Sequence, residues 1–221
     1  MPRTARASVG GVCYHVLNRG NGRSRVFRDK ADYDGFLDLL ATACQRVGMR
    51  VPGFCVMPDH FHLVLWPRAD GDLSRFMQWL LTSHVRRHHR RYRGRGHVWQ
   101  GRFRAFPIQP DDHLLTVLRY VERNPLRAGL VRAAENWPWS SLGSSALKDA
   151  PPIPLTTPVD RPRGWTKMVN AAESAAELDA LRRSVNRGTP FGRPLWARRT
   201  SARLGLQSSL NPRGRPRKNL D

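Results

Sequence analysis

The stretch from Arg50 to Trp66 leaves this chain the least freedom of fold. Two β-rich runs, Arg50 to Val56 and His60 to Trp66, are separated by Met57-Pro58-Asp59, whose proline and aspartate favour a tight turn. That pattern predicts a β-hairpin. Around it the periodicity predicts strand, helix, hairpin, helix, strand, helix. Val12 to Leu17 reads as a strand that ends in the turn-prone Asn18 to Gly22. Asp29 or Asp32 can cap a helix through about Val47, with Phe36, Leu37, Leu40, Ala43 and Cys44 at helical spacing and Gly48 as its stop. Leu73 to His88 carries Phe76, Met77, Leu80 and Leu81 in a second helical pattern, and Arg102 to Ile108 reads as a further strand. Asp111 or Asp112 can cap a third helix, with Leu114, Leu115, Val117, Leu118 and Val121, that stops before Pro125. Helices interleaved with a sheet that contains a hairpin define the class as α+β, with a ferredoxin-like antiparallel sheet.

Composition narrows the function. With 38 basic and 17 acidic residues among 221, the formal net charge is +21, which points to a polyanionic partner, nucleic acid above all. Only four of the basic residues are Lys; Arg suits bidentate phosphate binding, although GC-rich codon usage gives the same bias. A hydrophobic fraction of 40% with seven Trp is enough for a real core and excludes wholesale disorder. Three cysteines without a Cys-x-x-Cys pair argue against a disulfide framework or a structural zinc site. No signal peptide or long apolar run is visible, so the expected location is the cytoplasm, in association with the nucleoid. The proline-rich stretch from Pro151 to Pro162 reads as a linker, dividing the chain into a domain over 1–150 and a basic extension over 151–221.

Four segments can carry chemistry. In His60-Phe61-His62 the two imidazoles point to one face of a strand, half of a divalent-metal site, while Phe61, Leu63 and Leu65 point to the other. Two hydrogen-bonded surface histidines on a half-exposed strand would give the same pattern. Tyr120 and Asn124 lie four apart on one helix face, as nucleophile and ligand or as a packed aromatic and a helix cap. Six arginines between Arg86 and Arg95 (Arg86, Arg87, Arg90, Arg91, Arg93 and Arg95), with Tyr92 among them, suit a phosphate backbone. Arg213, Arg215, Arg217 and Lys218 surround an Arg-Gly-Arg-Pro core of the kind that fits a narrow minor groove. His84, His88, His89, His97 and His113 read as surface or DNA-facing, and Trp99 either stacks on a nucleotide or packs in the fold.

Three motifs occur in order: Met57-Pro58-Asp59-His60-Phe61-His62-Leu63-Val64, His97-Val98-Trp99-Gln100-Gly101-Arg102-Phe103, and Tyr120-Val121-Glu122-Arg123-Asn124-Pro125 through Ala128-Gly129-Leu130-Val131. The ordered set resembles the single-tyrosine, His-hydrophobe-His (HUH) transposases of bacterial insertion sequences, in particular the REP-associated tyrosine transposases. The resemblance covers roughly Gly11 to Ser141, and more loosely Arg187 to Gly192 and the terminal Arg-Gly-Arg-Pro. It implies the HUH endonuclease fold, His60 and His62 as metal ligands with Asn124 as a third, Tyr120 as nucleophile, and Mg²⁺ or Mn²⁺ as cofactor. It further implies cutting and rejoining of single-stranded, hairpin-forming DNA through a 5′-phosphotyrosine bond, by a monomer or a homodimer. Two other classes compete: a non-catalytic DNA- or RNA-binding module derived from such a transposase, and a metal-dependent hydrolase with Asp59 beside its ligands.

Overall fold

The helix over Lys30–Val47 (α1) begins and ends where local chemistry dictates. The Asp29 side chain accepts the N–H of Asp32 at its start, and Gly48, at φ 66°, closes it in the left-handed conformation that glycine adopts without cost. In the computed structural model, which describes residues 8–145 and 151–211, α1 joins β1 (Cys13–Arg19) to β2 (Arg50–Val56). The hairpin β2–β3 (His60–Trp66) has the predicted bounds, and α2 (Asp72–Tyr92) leads on to β4 (Arg104–Ile108). The four strands form one antiparallel sheet in the order β2-β3-β1-β4. The path β1-α1-β2-β3-α2-β4 is the ferredoxin-like one. Pro52 is tolerated because β2 is an edge strand, and the β2–β3 ladder shifts register between Arg50 and Gly53.

Alternation along the strands sorts side chains onto two faces. Phe54, Phe61, Leu63 and Leu65 are buried, and Phe61 meets Phe36 of α1 with ring centroids 5.2 Å apart. The opposite face carries His15, His62 and Phe106 and is covered by α3 (Asp112–Glu122). Gly53 permits that cover: a Cβ there would lie 2.6 Å from Leu118 Cδ2, so any larger residue would force the Leu118 side chain out of its place between α3 and the sheet. The strand bearing the histidines is therefore buried on both sides, not half-exposed.

α3 stops at Glu122, and Pro125 sits in the first turn of a short helix, α4 (Asn124–Arg127), where its missing N–H has no consequence. The predicted fourth strand starts two residues late, and α2 runs four residues past His88. Beyond α5 (Ser141–Ser144) come α6 (Trp165–Asn170), α7 (Ala175–Arg187) and α8 (Pro194–Leu204). The proline-rich stretch lies along the edge of β2: Val51 donates its N–H to the Pro154 carbonyl (3.2 Å) and accepts from Thr156 (3.3 Å). At the other edge, Phe191 donates to Pro107 (2.8 Å) and accepts from Gln109 (2.9 Å). Residues after 150 thus occupy part of both edges that could recruit another chain, and at the far end of β2 Val56 donates to the Trp139 carbonyl (2.8 Å). Glu122, fully buried, is tied to the same segment: it accepts from Ser141 Oγ (2.5 Å), Arg161 (2.8 Å) and Trp165 Nε1 (2.7 Å). Among the described residues no helix is long and apolar enough to cross a membrane.

Candidate active site

β3 holds His60 and His62 side by side, with ring centroids 5.0 Å apart. Each has one nitrogen already engaged. His60 Nδ1 lies 2.5 Å from Asp59 Oδ1, and Asp59 also faces Arg19 Nε at 3.6 Å. The hydrogen bond from His60 holds the Asp59 carboxyl below the usual carboxylate range. His62 Nδ1 lies 2.8 Å from Nε2 of the buried His15. Burial, and secondarily the neighbouring His60, keep His62 neutral and push His15 down to about 3. In the tautomer in which Nδ1–H of each ring donates to its partner, Nε2 of both His60 and His62 carries the free lone pair. A carboxylate behind a ligating histidine, as Asp59 stands behind His60, is a usual way such a ring is oriented.

α3 brings the phenol to this pair. Asp111 caps it by accepting the His113 N–H (3.0 Å), and Leu114, Val117, Leu118 and Val121, at helical spacing, bury its apolar face. Tyr120, one turn from its end, then stands edge-on to His62, with ring centroids 5.7 Å apart and an interplanar angle of 88°. Its hydroxyl makes no hydrogen bond with any described residue. Asn124 follows, its amide donating to the Tyr120 carbonyl (3.0 Å) while its oxygen accepts from Arg127 Nη2 (2.6 Å). The cap and the inward-facing polar group, alternatives in sequence, coexist.

These four residues share one cleft of about 700 Å³. Arg19, Arg23, Arg102, Arg104 and Arg127 also line it, no carboxylate of the described residues does, and Val185 and Asn186 of α7 close one side. A cleft lined by one sign of charge concentrates ligands of the opposite sign, here anions. Among the described residues no three His, Cys, Asp or Glu side chains converge as a metal site. A cation in this cleft would rest on the two imidazoles, the carboxamide and oxygens of the substrate.

The arginine run is elsewhere. Arg91 pairs with Asp29 (2.5 Å) and Asp32 (3.3 Å), and Arg87 packs against Gly35, tying α2 to α1. Arg86, Arg90, Arg93 and Arg95 are exposed. Arg213, Arg215, Arg217 and Lys218 lie outside the described residues. His84 is not at the surface: it sits among Phe27, Phe36 and Trp99, and burial pushes it down to about 3. Trp99 packs against Phe27 and Phe61 and is buried. Sequence reasoning missed His15 and the five cleft arginines. His15 shares the Cys13-His15-Leu17 face of its strand, a signal that acquires meaning only once β1 is known to pair with β3. The arginines form no run and carry no local signal.

An imidazole pair on the sheet, facing a helix-borne tyrosine in a cationic cleft, defines the HUH single-tyrosine class. The model of the IS200-like transposases matches residues 8–124, more than half of the chain, which therefore belongs to that family. A Haemophilus influenzae protein assigned to the REP-associated tyrosine transposases is 29% identical over 117 residues, 48% of this chain and 66% of that protein. The chain thus spans just under two thirds of that relative. The Escherichia coli K12 REP-associated tyrosine transposase is 22% identical over 144 residues, 65% of this chain and 84% of that protein. The solved structure of a REP-associated tyrosine transposase bound to a REP hairpin superposes with a TM-score of 0.53 at 21% identity, over 71% of this chain and 94% of that one. This last likeness is one of fold.

Proposed function

We propose that this protein cleaves and rejoins single-stranded, hairpin-forming DNA through a 5′-phosphotyrosine intermediate on Tyr120. The observation that carries the reading is the placement of Tyr120 against His62 in a cleft that, among the described residues, five arginines and no carboxylate line. The phenolic oxygen of Tyr120 attacks the scissile phosphorus and gives up its proton. The bond from phosphorus to the 3′ oxygen breaks, and that oxygen leaves with a proton as a free 3′-hydroxyl. A second 3′-hydroxyl reverses the step, so new ends are joined without an external energy source. Arg19, Arg23, Arg102 and Arg104 of the cleft hold the phosphodiester in line for attack and offset its charge.

The donor set fits Mg²⁺ or Mn²⁺: His60 and His62 each offer Nε2 on an anchored ring, and Asn124 offers the second lone pair of an oxygen whose first accepts from Arg127. When bound, the ion would supply Lewis-acid polarisation of the phosphate. The donors are neutral, so they leave its charge undiminished. Asp59, turned to His60 and Arg19, orients a ring and is poorly placed to activate water, which weighs against the hydrolase. One chain supplies the whole constellation, compatible with a monomer or with a homodimer of independent sites.

The test is a denaturing gel of the protein with labelled hairpin DNA from the flanks of its own gene, plus Mg²⁺ or Mn²⁺, beside Tyr120→Phe and His60→Ala. A protease-sensitive shifted band with wild type alone is expected. Tight binding without an adduct on any flanking hairpin would instead identify a binding module, and cut DNA without attached protein a hydrolase.

A further inference from the structure

The family match ends at Asn124, yet the residues that fix Tyr120 and Asn124 continue past it. Arg127 touches both: its guanidinium carbon sits 4.3 Å from the centroid of the Tyr120 ring, and Nη2 donates to Asn124 Oδ1 at 2.6 Å. Nη1 of the same guanidinium donates to Glu173 at 3.1 and 3.2 Å. Glu173 also faces Arg123 Nε at 3.4 Å, and its side chain is only 4% exposed. The carboxylate is itself held. Arg119 donates to the carbonyls of Ala171 (2.9 Å) and Ala172 (2.8 Å), Arg123 to those of Val169 (3.0 Å) and Asn170, and Ser174 begins α7 with a reciprocal cap to Glu177. Arg119, Arg123 and Arg127, each four residues apart, present one face of the nucleophile-bearing segment to residues 169–173.

We propose that Glu173 and Arg127 are positioning residues of the active site. The carboxylate locks the Arg127 fork, and the fork in turn sets the Tyr120 ring and the Asn124 carboxamide. This rests on the proposed tyrosine chemistry. A guanidinium bound at both ends keeps one rotamer; freed from Glu173, it can swing toward any phosphate in the cleft and leave the ring and the amide undirected. A displacement of about 1 Å at a reacting group costs on the order of a hundredfold in rate. Residues 161–177, beyond the sheet domain, thereby become part of the catalytic apparatus and not merely a tether for a basic tail.

The full chain is assayed in single turnover with the flanking hairpin DNA, measuring adduct formation across DNA concentrations, with melting temperature alongside. Glu173→Ala is expected to slow adduct formation at saturating DNA about ten- to a hundredfold, with the half-saturating concentration changed less than about twofold. Arg127→Ala should cost at least as much and Arg127→Lys should not restore the rate, because an ammonium lacks the two-ended fork. The double variant should be no slower than Arg127→Ala alone, as Glu173 acts through Arg127. With 3-fluorotyrosine at the four tyrosines, the Tyr120 fluorine signal, assigned by its loss in Tyr120→Phe, should shift in Glu173→Ala without DNA. An unchanged rate at saturating DNA with a lowered melting temperature, or losses that multiply in the double variant, would reduce the pair to an ordinary ion pair. A wild-type protein that forms no adduct would overturn the tyrosine reading and this inference with it.

Discussion

The two faces of the sheet are built from different materials. Toward α1 and α2, Tyr14, Val16, Phe54, Phe61 and Leu63 meet Phe36 and Phe76, all essentially closed to solvent. Toward α3 the same strands present His15, His62 and Cys55, and the helix returns Tyr120 and the buried Glu122. Burying apolar rings is favourable in itself, whereas each buried polar group needs a partner. The α3 face supplies them: His15 answers His62, and Ser141, Arg161 and Trp165 answer Glu122. Two of these partners, Arg161 and Trp165, come from residues after 150. The fold concentrates stability on one face and reactivity on the other, and the reactive face is complete only when the C-terminal segment is in place.

The sharpest way to break that comparison is to delete one group from each face. Tyr120→Phe removes a hydroxyl that makes no hydrogen bond with any described residue, so adduct formation should fall at least a thousandfold while the melting temperature stays put. Phe61→Ala should do the reverse. Loss of a fully buried Phe costs about 3–5 kcal/mol, read in a urea titration, while the fraction still folded keeps its rate. If Tyr120→Phe unfolds the protein, or Phe61→Ala abolishes the chemistry of folded molecules, the division of labour between the faces is wrong.

Acid offers a weaker and more selective probe. His84 lies on the apolar side, among Phe27, Phe36 and Trp99, and burial lowers its pKa from 6.5 to about 3. The unfolded chain accepts a proton near 6.5 that the folded chain refuses. Stability from this residue is thus fully present above that pH and is lost as pH falls toward 3. The slope is about 1.4 kcal/mol per pH unit, or about 2 kcal/mol by pH 5. His84→Leu should lack that component in urea titrations between pH 7 and 5. Equal slopes in the two proteins would show that the imidazole is protonated in place.

Legibility in the sequence followed the range of the interactions. The hairpin, α1 and its two caps rest on contacts within a few residues, and the strand alternation of His60 and His62 is equally local. His84 was readable too: it continues the stripe Leu73, Phe76, Met77, Leu80 at helical spacing, and the arginines after it masked that signal. His15 was not readable, since its role depends on a ladder between residues some fifty positions apart. Nor was the edge role of the proline-rich stretch, whose composition describes a linker while its carbonyls and N–H groups are used by β2. The cleft arginines were hidden for a similar reason. Charge that is contiguous in the sequence draws the eye, but charge that converges in space comes separately from β1 and the turn after it, from β4 and the residues just before it, and from α4.

That last contrast yields the smallest effect and separates the two arginine groups. Each phosphate neutralised on single-stranded DNA contributes about −0.7 to the slope of log affinity against log salt. Replacing Arg102 and Arg104 of the cleft by Ala should flatten that slope by about 1.4 and also slow adduct formation at saturating DNA, because these two guanidinium groups face the site of attack. Replacing Arg93 and Arg95, exposed beyond the end of α2, should flatten it by a similar amount and leave the saturated rate alone. Equal slopes for wild type and the second variant would make the run a solvated helix end, with the converging arginines carrying the DNA contact.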